Sequence, residues 1–190
     1  MAKRVEIRLA GSGGQGLILA GVILAEAAGI HEGKFVAQTQ SYGPEARGGA
    51  SKSEVVISDE AIDYPKAVKP DVLLCLNQKA CDTYIFDVKP GGTVIVDETL
   101  VPHLPTSRAV AIPFTHIARE EVGRDMLANI VALGALAALT GIVSLESLEA
   151  AVLARVPRGT EELNRKALKA GINAAQKHLS AKTAQTAPEW

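Results

Sequence analysis

The opening of the chain alternates. In Arg4-Val5-Glu6-Ile7-Arg8-Leu9-Ala10, Val5, Ile7 and Leu9 fall on one side and the charges on the other, which predicts a strand. From Gln15 to Ala28 the chain reads QGLILAGVILAEAA, enough for about four helical turns. A second strand is expected over 34–40 and a third over 53–58. Residues 59–70 carry two prolines and read as a connection, with a short helix around Ala67. The continuous apolar run over 71–77 predicts a strand covered on both faces. A helix follows over 78–87, broken by Pro90-Gly91-Gly92, then a buried strand over 93–97 and another over 109–112 that ends at Pro113. From about Thr115 the pattern turns helical. Ser144 is placed to cap a helix running to Arg155, with Glu146 in its first turn. Thr160 is placed to cap the next, with Glu161 and Glu162 at its positive end. Strands alternating with helices predict an α/β domain over 1–179. Its sheet is doubly wound, mainly parallel and Rossmann-like, with helices on both faces and a helical C-terminal part. The polar, alanine-rich stretch 180–190 is expected to be a flexible tail.

Between the first strand and the first helix stand Gly11, Ser12, Gly13, Gly14, Gln15 and Gly16. Gly11, Gly13 and Gly16 fit G-x-G-x-x-G, the turn that lets backbone and ligand approach closely and aims the first helical amides at an anion. A dinucleotide reader also carries an acid at the end of the second strand. Here that strand ends Gln38-Thr39-Gln40 with no acid, which argues against NAD or FAD. A strand–helix packing turn with no ligand is the plain alternative.

Charge narrows the function further. Twenty basic and 21 acidic residues leave a net charge of −1, so no basic field invites nucleic acid. Hydrophobic residues make up 47%, enough for a folded core. Charge begins at Lys3 and Arg4 with no signal-peptide pattern, so a cytoplasmic location is expected. The uncharged run Met126–Val143 is of marginal length for a bilayer. Its Asn129, Thr140, two glycines and many alanines suit a helix buried in protein, or one at a subunit interface. Cys75 and Cys81 are the only cysteines. They are expected to be buried thiols, and two cannot supply the four thiolates of a usual iron–sulfur cluster. The four histidines, at 31, 103, 116 and 178, show no metal spacing.

The loop over 41–49 is the more specific signal. It gathers Ser41, Tyr42, a proline, Glu45, Arg47, Gly48 and Gly49. Arg47 beside open glycine amides offers a fork of donors suited to phosphate or carboxylate. Read from the residues alone, a structural Ω-like loop with Arg47 paired to a neighbour such as Glu45 is the favoured option.

The pair GSGGQG at 11–16 and QSYGPEARGG at 40–49, followed by SEVVIS at 53–58 and PDVLLCLN at 70–77, resembles the gamma subunit of 2-oxoacid:ferredoxin oxidoreductases. The likeness spans about residues 4–179, and the Ser-Tyr-Gly-Pro-Glu-Ala-Arg-Gly-Gly form is most similar to the 2-oxoglutarate branch. The resemblance implies a share in converting a 2-oxoacid, coenzyme A and oxidised ferredoxin into acyl-CoA, carbon dioxide and reduced ferredoxin. It implies thiamine diphosphate, magnesium and iron–sulfur clusters on partner alpha and beta subunits, or on a ferredoxin-like delta subunit, since this chain has no Gly-Asp-Gly run and no Cys-x-x-Cys. Ferredoxin would be the acceptor. No catalytic residue is expected here, and the isolated chain should be inactive. The resemblance also offers the glycine turn and the arginine loop as coenzyme A contacts or interface elements. Alternatives are a gamma subunit of a pyruvate, branched-chain 2-oxoacid or indolepyruvate oxidoreductase, a free-standing nucleotide-binding protein or dehydrogenase, and an assembly subunit with no small ligand.

Overall fold

The computed structural model describes residues 4–42, 50–104 and 106–185. Among them six strands form one sheet: β1 (Arg4–Ser12), β2 (Phe35–Ser41), β3 (Ala50–Ser58), β4 (Val72–Cys75), β5 (Thr93–Asp97) and β6 (Val110–Ile112). Their order is β2-β3-β1-β4-β5-β6. Pairs β1–β4, β4–β5 and β5–β6 are parallel. β3 runs against both its neighbours.

The sheet is mainly parallel as expected, with β3 as its one antiparallel member among the described residues. β2 keeps the direction of β1, but β3 lies between them. A strand's direction is not encoded in its hydrophobic pattern. A short connection after β2 favours an antiparallel neighbour, because a parallel return needs a long crossover.

The helices are α1 (Leu17–Glu26), α2 (Gln78–Tyr84), α3 (Phe114–Ile117), α4 (Ala128–Thr140), α5 (Leu145–Arg155) and α6 (Glu161–Gln185). α1 ends in a wider π turn over Ala27–His31. Helices cover both faces, unequally. On the first face Ile7, Leu9, Val55, Leu74 and Ile95 pack against α1, α3, α4, α5 and α6. On the second, Ala10, Leu73, Cys75 and Val96 meet only α2 and the segments beside it. The connection over 59–70 forms bends and no helix. Its prolines remove donors at Pro65 and Pro70, and its carbonyls bond instead to arginines of β1.

The uncharged run is α4, buried along Asn129–Ala137 by its own chain. A Cβ on Gly134 would overlap the Leu168 carbonyl, and one on Gly171 the Val131 carbonyl, so α4 and α6 meet backbone to backbone. No helix among the described residues is long and apolar enough to cross a membrane. Ser144 caps α5 as expected, its hydroxyl accepting from Ser147 N–H at 3.1 Å. Thr160 begins α6 differently. Its hydroxyl donates to the Pro157 carbonyl and accepts from Asn164 Nδ2 at 3.1 Å. α6 continues through 180–185, past the predicted start of the tail, with Ser180 Oγ donating back to the Gln176 carbonyl. Residues 186–190 lie outside the described residues.

Candidate functional site

The glycine turn leaves the carboxyl edge of β1. Two of its glycines require the left-handed region: Gly14 at φ +91° and Gly16 at φ +71°, where a side chain costs about 1–2 kcal/mol. Gly13 has neither a positive φ nor a neighbour within reach of a Cβ. Strain on substitution at 13 is therefore not expected, unlike at 14. Gly13 and Gly14 are exposed.

Gln15 holds the turn closed. Its Oε1 accepts from Ser12 N–H at 2.7 Å and from Ser12 Oγ at 3.1 Å. Its Nε2 donates to the Leu76 carbonyl at 2.9 Å, tying the turn to the end of β4. Both ends of the Gln15 amide are thus engaged inside the fold. Gly11 lies under this amide, and a Cβ there would strike it. Gly16 is pressed against buried Asn129, whose Nδ2 donates to the Gly16 carbonyl at 3.1 Å. This contact joins the turn to the start of α4.

No side chain caps α1, and no acid occupies its first turn. Its leading amides therefore keep their capacity for an anion or for water. Beside them opens a hollow of about 320 Å³ between the turn, the start of α4 and the α5–α6 corner. Leu19, Met126, Pro157 and Leu163 give it apolar walls; Arg124, Thr160 and Asn164 are among its polar lining. Arg124 is exposed. Sequence reasoning missed Arg124 and Met126. The break Gly123-Arg124-Asp125 before the apolar helix was the available signal, but nothing local says that it folds back onto residue 14.

Register brings the second motif to the same edge. Ser41 pairs with Lys52, and Lys52 with Ala10. Ser41 therefore stands level with the residue before Gly11, two strands away, or about 10 Å. Tyr42 is 65% exposed. Arg47, Gly48 and Gly49 lie outside the described residues. β3 between β1 and β2 also removes the dinucleotide geometry, in which the ribose-binding acid ends the strand next to β1.

Further along this edge Asp97 is fully buried. Its carboxylate accepts from Thr99 N–H at 3.0 Å and from Thr115 N–H at 3.2 Å. A carboxylate so satisfied is a brace for two loops. Cys75 and Cys81 are free thiols buried together on the second face. The hydrogen bond between them, and burial, push the Cys75 thiol up. No group of three His, Cys, Asp or Glu among the described residues is placed to hold a metal.

Sequence reasoning also missed the buried charges of the second face. Arg8 is 3% exposed and Glu54 4%. Arg8 Nε donates to Glu54 at 2.8 Å, Nη2 to the Ala67 carbonyl at 2.8 Å, and Nη1 to Asp87. Lys52 also donates to Glu54, at 2.9 Å. Arg8 and Lys52 both stand over the Tyr84 ring. Burial raises the Tyr84 phenol.

Known proteins share this fold. The chain is 58% identical to 2-oxoglutarate synthase subunit KorC of Methanocaldococcus jannaschii, over 91% of this chain and 95% of that one. The crystal structure of a keto/oxoacid ferredoxin oxidoreductase gamma subunit from Geobacter sulfurreducens superposes with a TM-score of 0.85 at 54% identity, covering 93% of this chain and 98% of that one. A 2-oxoglutarate:ferredoxin oxidoreductase from Magnetococcus marinus, solved with 2-oxoglutarate, coenzyme A and succinyl-CoA bound, matches with a TM-score of 0.80 at 27% identity. That match covers 92% of this chain but 31% of that one, so there the same fold is one segment of a longer polypeptide. The profile described as Pyruvate ferredoxin/flavodoxin oxidoreductase matches residues 6–174, and the chain belongs to that family.

Proposed function

We propose that this chain is the gamma subunit of a 2-oxoglutarate:ferredoxin oxidoreductase, which forms succinyl-CoA, carbon dioxide and reduced ferredoxin from 2-oxoglutarate, coenzyme A and oxidised ferredoxin. The observation that carries the reading is the 58% identity to a 2-oxoglutarate synthase subunit along nearly the whole of both chains. The complex is cytoplasmic, with alpha and beta subunits, a ferredoxin-like delta subunit, and ferredoxin as acceptor.

Thiamine diphosphate, magnesium and clusters belong to the partners. This chain's residues do not fit them: its two cysteines are buried side by side, and the sequence offers no thiamine-binding run. What it offers is an anion-receptive edge beside an apolar hollow. The uncapped amides of α1, the open backbone at Gly13 and Gly14, and Arg124 suit phosphate. Leu19 and Met126 suit the pantetheine arm of coenzyme A. β2 ends at the same edge, and the sequence that follows it carries Arg47, whose guanidinium offers a fork of donors.

The test is reconstitution. The isolated chain is expected to be colourless and inactive, and to restore 2-oxoglutarate- and coenzyme A-dependent ferredoxin reduction when added to the other subunits. Turnover by the chain alone, or no effect of adding it, refutes the assignment. Arg47→Ala in the complex should raise the KM for coenzyme A by about 10- to 150-fold, the worth of one charge-assisted hydrogen bond. Arg47→Lys should recover part, since the charge stays and the fork is lost. A variant that dissociates while the remaining intact complex keeps its KM assigns Arg47 to the interface instead.

A further inference from the structure

Phe86 is 91% exposed. It sits at the middle of a 3-10 turn, Ile85–Asp87, that follows α2 on the thinly covered second face. A free surface does not need a phenyl ring held there. The turn is nevertheless anchored on both sides of it. Ile85 packs inward against the smaller core, and Asp87 is ion-paired to buried Arg8. The ring is held outward on a fixed base.

The same guanidinium anchors a second turn. Arg8 Nη2 holds the Ala67 carbonyl, and the next residue, Val68, is 57% exposed. Three residues before Ala67, the Tyr64 carbonyl accepts from Arg4 Nη2 at 2.9 Å, and Tyr64 is 54% exposed. Two arginines of one strand thus fix the backbone that carries Tyr64 and Val68 and, through Asp87, the turn that carries Phe86. Preorganised aromatics on a rigid base are how interface anchors are built, because little side-chain freedom is lost on contact.

We infer that this second face, centred on Phe86 and Val68, is where the chain docks the subunit that corresponds to the remainder of the Magnetococcus polypeptide. The inference rests on the subunit reading given above. Its occupant follows from chain length. The present fold makes up 31% of that relative's chain, so what is covalently attached there must here associate through a surface. The first face is already filled by five helices of this chain. The second carries the seven-residue α2, the adjoining turn and the 59–70 connection.

The experiment co-expresses the tagged full chain with that subunit and measures assembly by affinity capture and by size-exclusion mass. Phe86→Asp and Val68→Asp are compared with Ile30→Asp, a residue 73% exposed at the end of α1. Phe86→Asp should weaken assembly at least about 30-fold. Ile30→Asp should leave it unchanged, and all three isolated chains should melt like the parent. A photo-crosslinking phenylalanine analogue at 86 should label the larger subunit in the assembled complex. The surface assignment is overturned if Phe86→Asp assembles normally, or if Ile30→Asp breaks assembly while Phe86→Asp does not. It is also overturned if residue 86 crosslinks only to a second copy of this chain. Failure of the unmutated chain to bind that subunit at all overturns the subunit reading itself.

Discussion

The two faces of the sheet are held by different physics. On the first, area does the holding. Leu9, Ile23, Leu74, Phe114, Leu133 and Leu136 are fully or almost fully buried, and glycines bring helix backbones into contact. Burial of this kind is non-directional and spread over many residues. On the second face a few directed contacts carry the load. One guanidinium ties a strand to Glu54, to the Asp87 turn and to the Ala67 loop. A face built on area degrades gradually. A face built on one hub fails when that hub is lost.

Arg8→Ala is the sharpest way to break this contrast, and it should have the largest effect. It leaves buried Glu54 with Lys52 as its remaining ion-pair partner and a long hydrogen bond from Thr39, and it releases the Asp87 and Ala67 segments. The expected loss is about 3–5 kcal/mol of unfolding free energy, read by urea denaturation. A loss below about 1 kcal/mol, the range of exposed pairs, would mean that the network is incidental. The pair Arg8→Met with Glu54→Leu should recover much of the loss, because an apolar pair of similar size often replaces a buried ion pair at little cost.

Gly171→Ala asks the matching question of the first face. The added carbon would overlap the Val131 carbonyl across the α4–α6 crossing. Helix axes must part, with an expected cost of about 1–3 kcal/mol, as for other overpacked cores. A neutral or stabilising result would show that the crossing has slack. At the edge joining the two faces, Gly14→Ala should cost about 1–2 kcal/mol because Gly14 is left-handed. Gly13→Ala should be close to neutral. Equal costs at 13 and 14 would contradict the turn geometry.

These contrasts also mark what the sequence could show. β1, α1, β4 and β5 were legible because each carries its own period or an unbroken apolar run. Ser144 was legible because a cap is a local contact. α4 was read as buried from Gly134 and its alanines, although the α6 backbone it touches is more than thirty residues away. The direction of β3 was not legible, since alternation reads the same both ways. The burial of Arg8 was not legible either, because its partners lie 46, 59 and 79 residues away. The site divides in the same manner. The glycine turn is visible in six residues, whereas Arg124, Met126 and Asn129 reach it only through the return of the chain to α4.

The smallest expected effect is a titration, and it belongs to the second face. Cys75 and Cys81 lie in its core, and the first-face core among the described residues contains no thiol. The Cys75 thiol is pushed up by its hydrogen bond with Cys81 and by burial. The sign follows from the neutral form being the one the fold prefers. Below the ordinary thiol range, about 8.5, folded and unfolded chains both hold the proton and the stabilisation is complete. Above it the unfolded chain gives up the proton first, so stability falls as pH rises toward the folded value. One thiol can lower the unfolding free energy by at most about 1.4 kcal/mol per pH unit. The shift of Cys81 runs the other way, through its hydrogen bond with Cys75, so this thiol adds a small rise in stability as pH approaches the ordinary thiol range and no slope above it. Urea denaturation at pH 7, 8, 9 and 9.5 should show a slight rise toward the thiol range and then this decline. Cys75→Ala should flatten the decline, whereas Tyr84→Phe should leave it in place, since the raised phenol titrates only above about pH 10. A decline that survives Cys75→Ala would assign it to other groups, and rapid native-state labelling of both thiols would show that the second-face core is open to solvent.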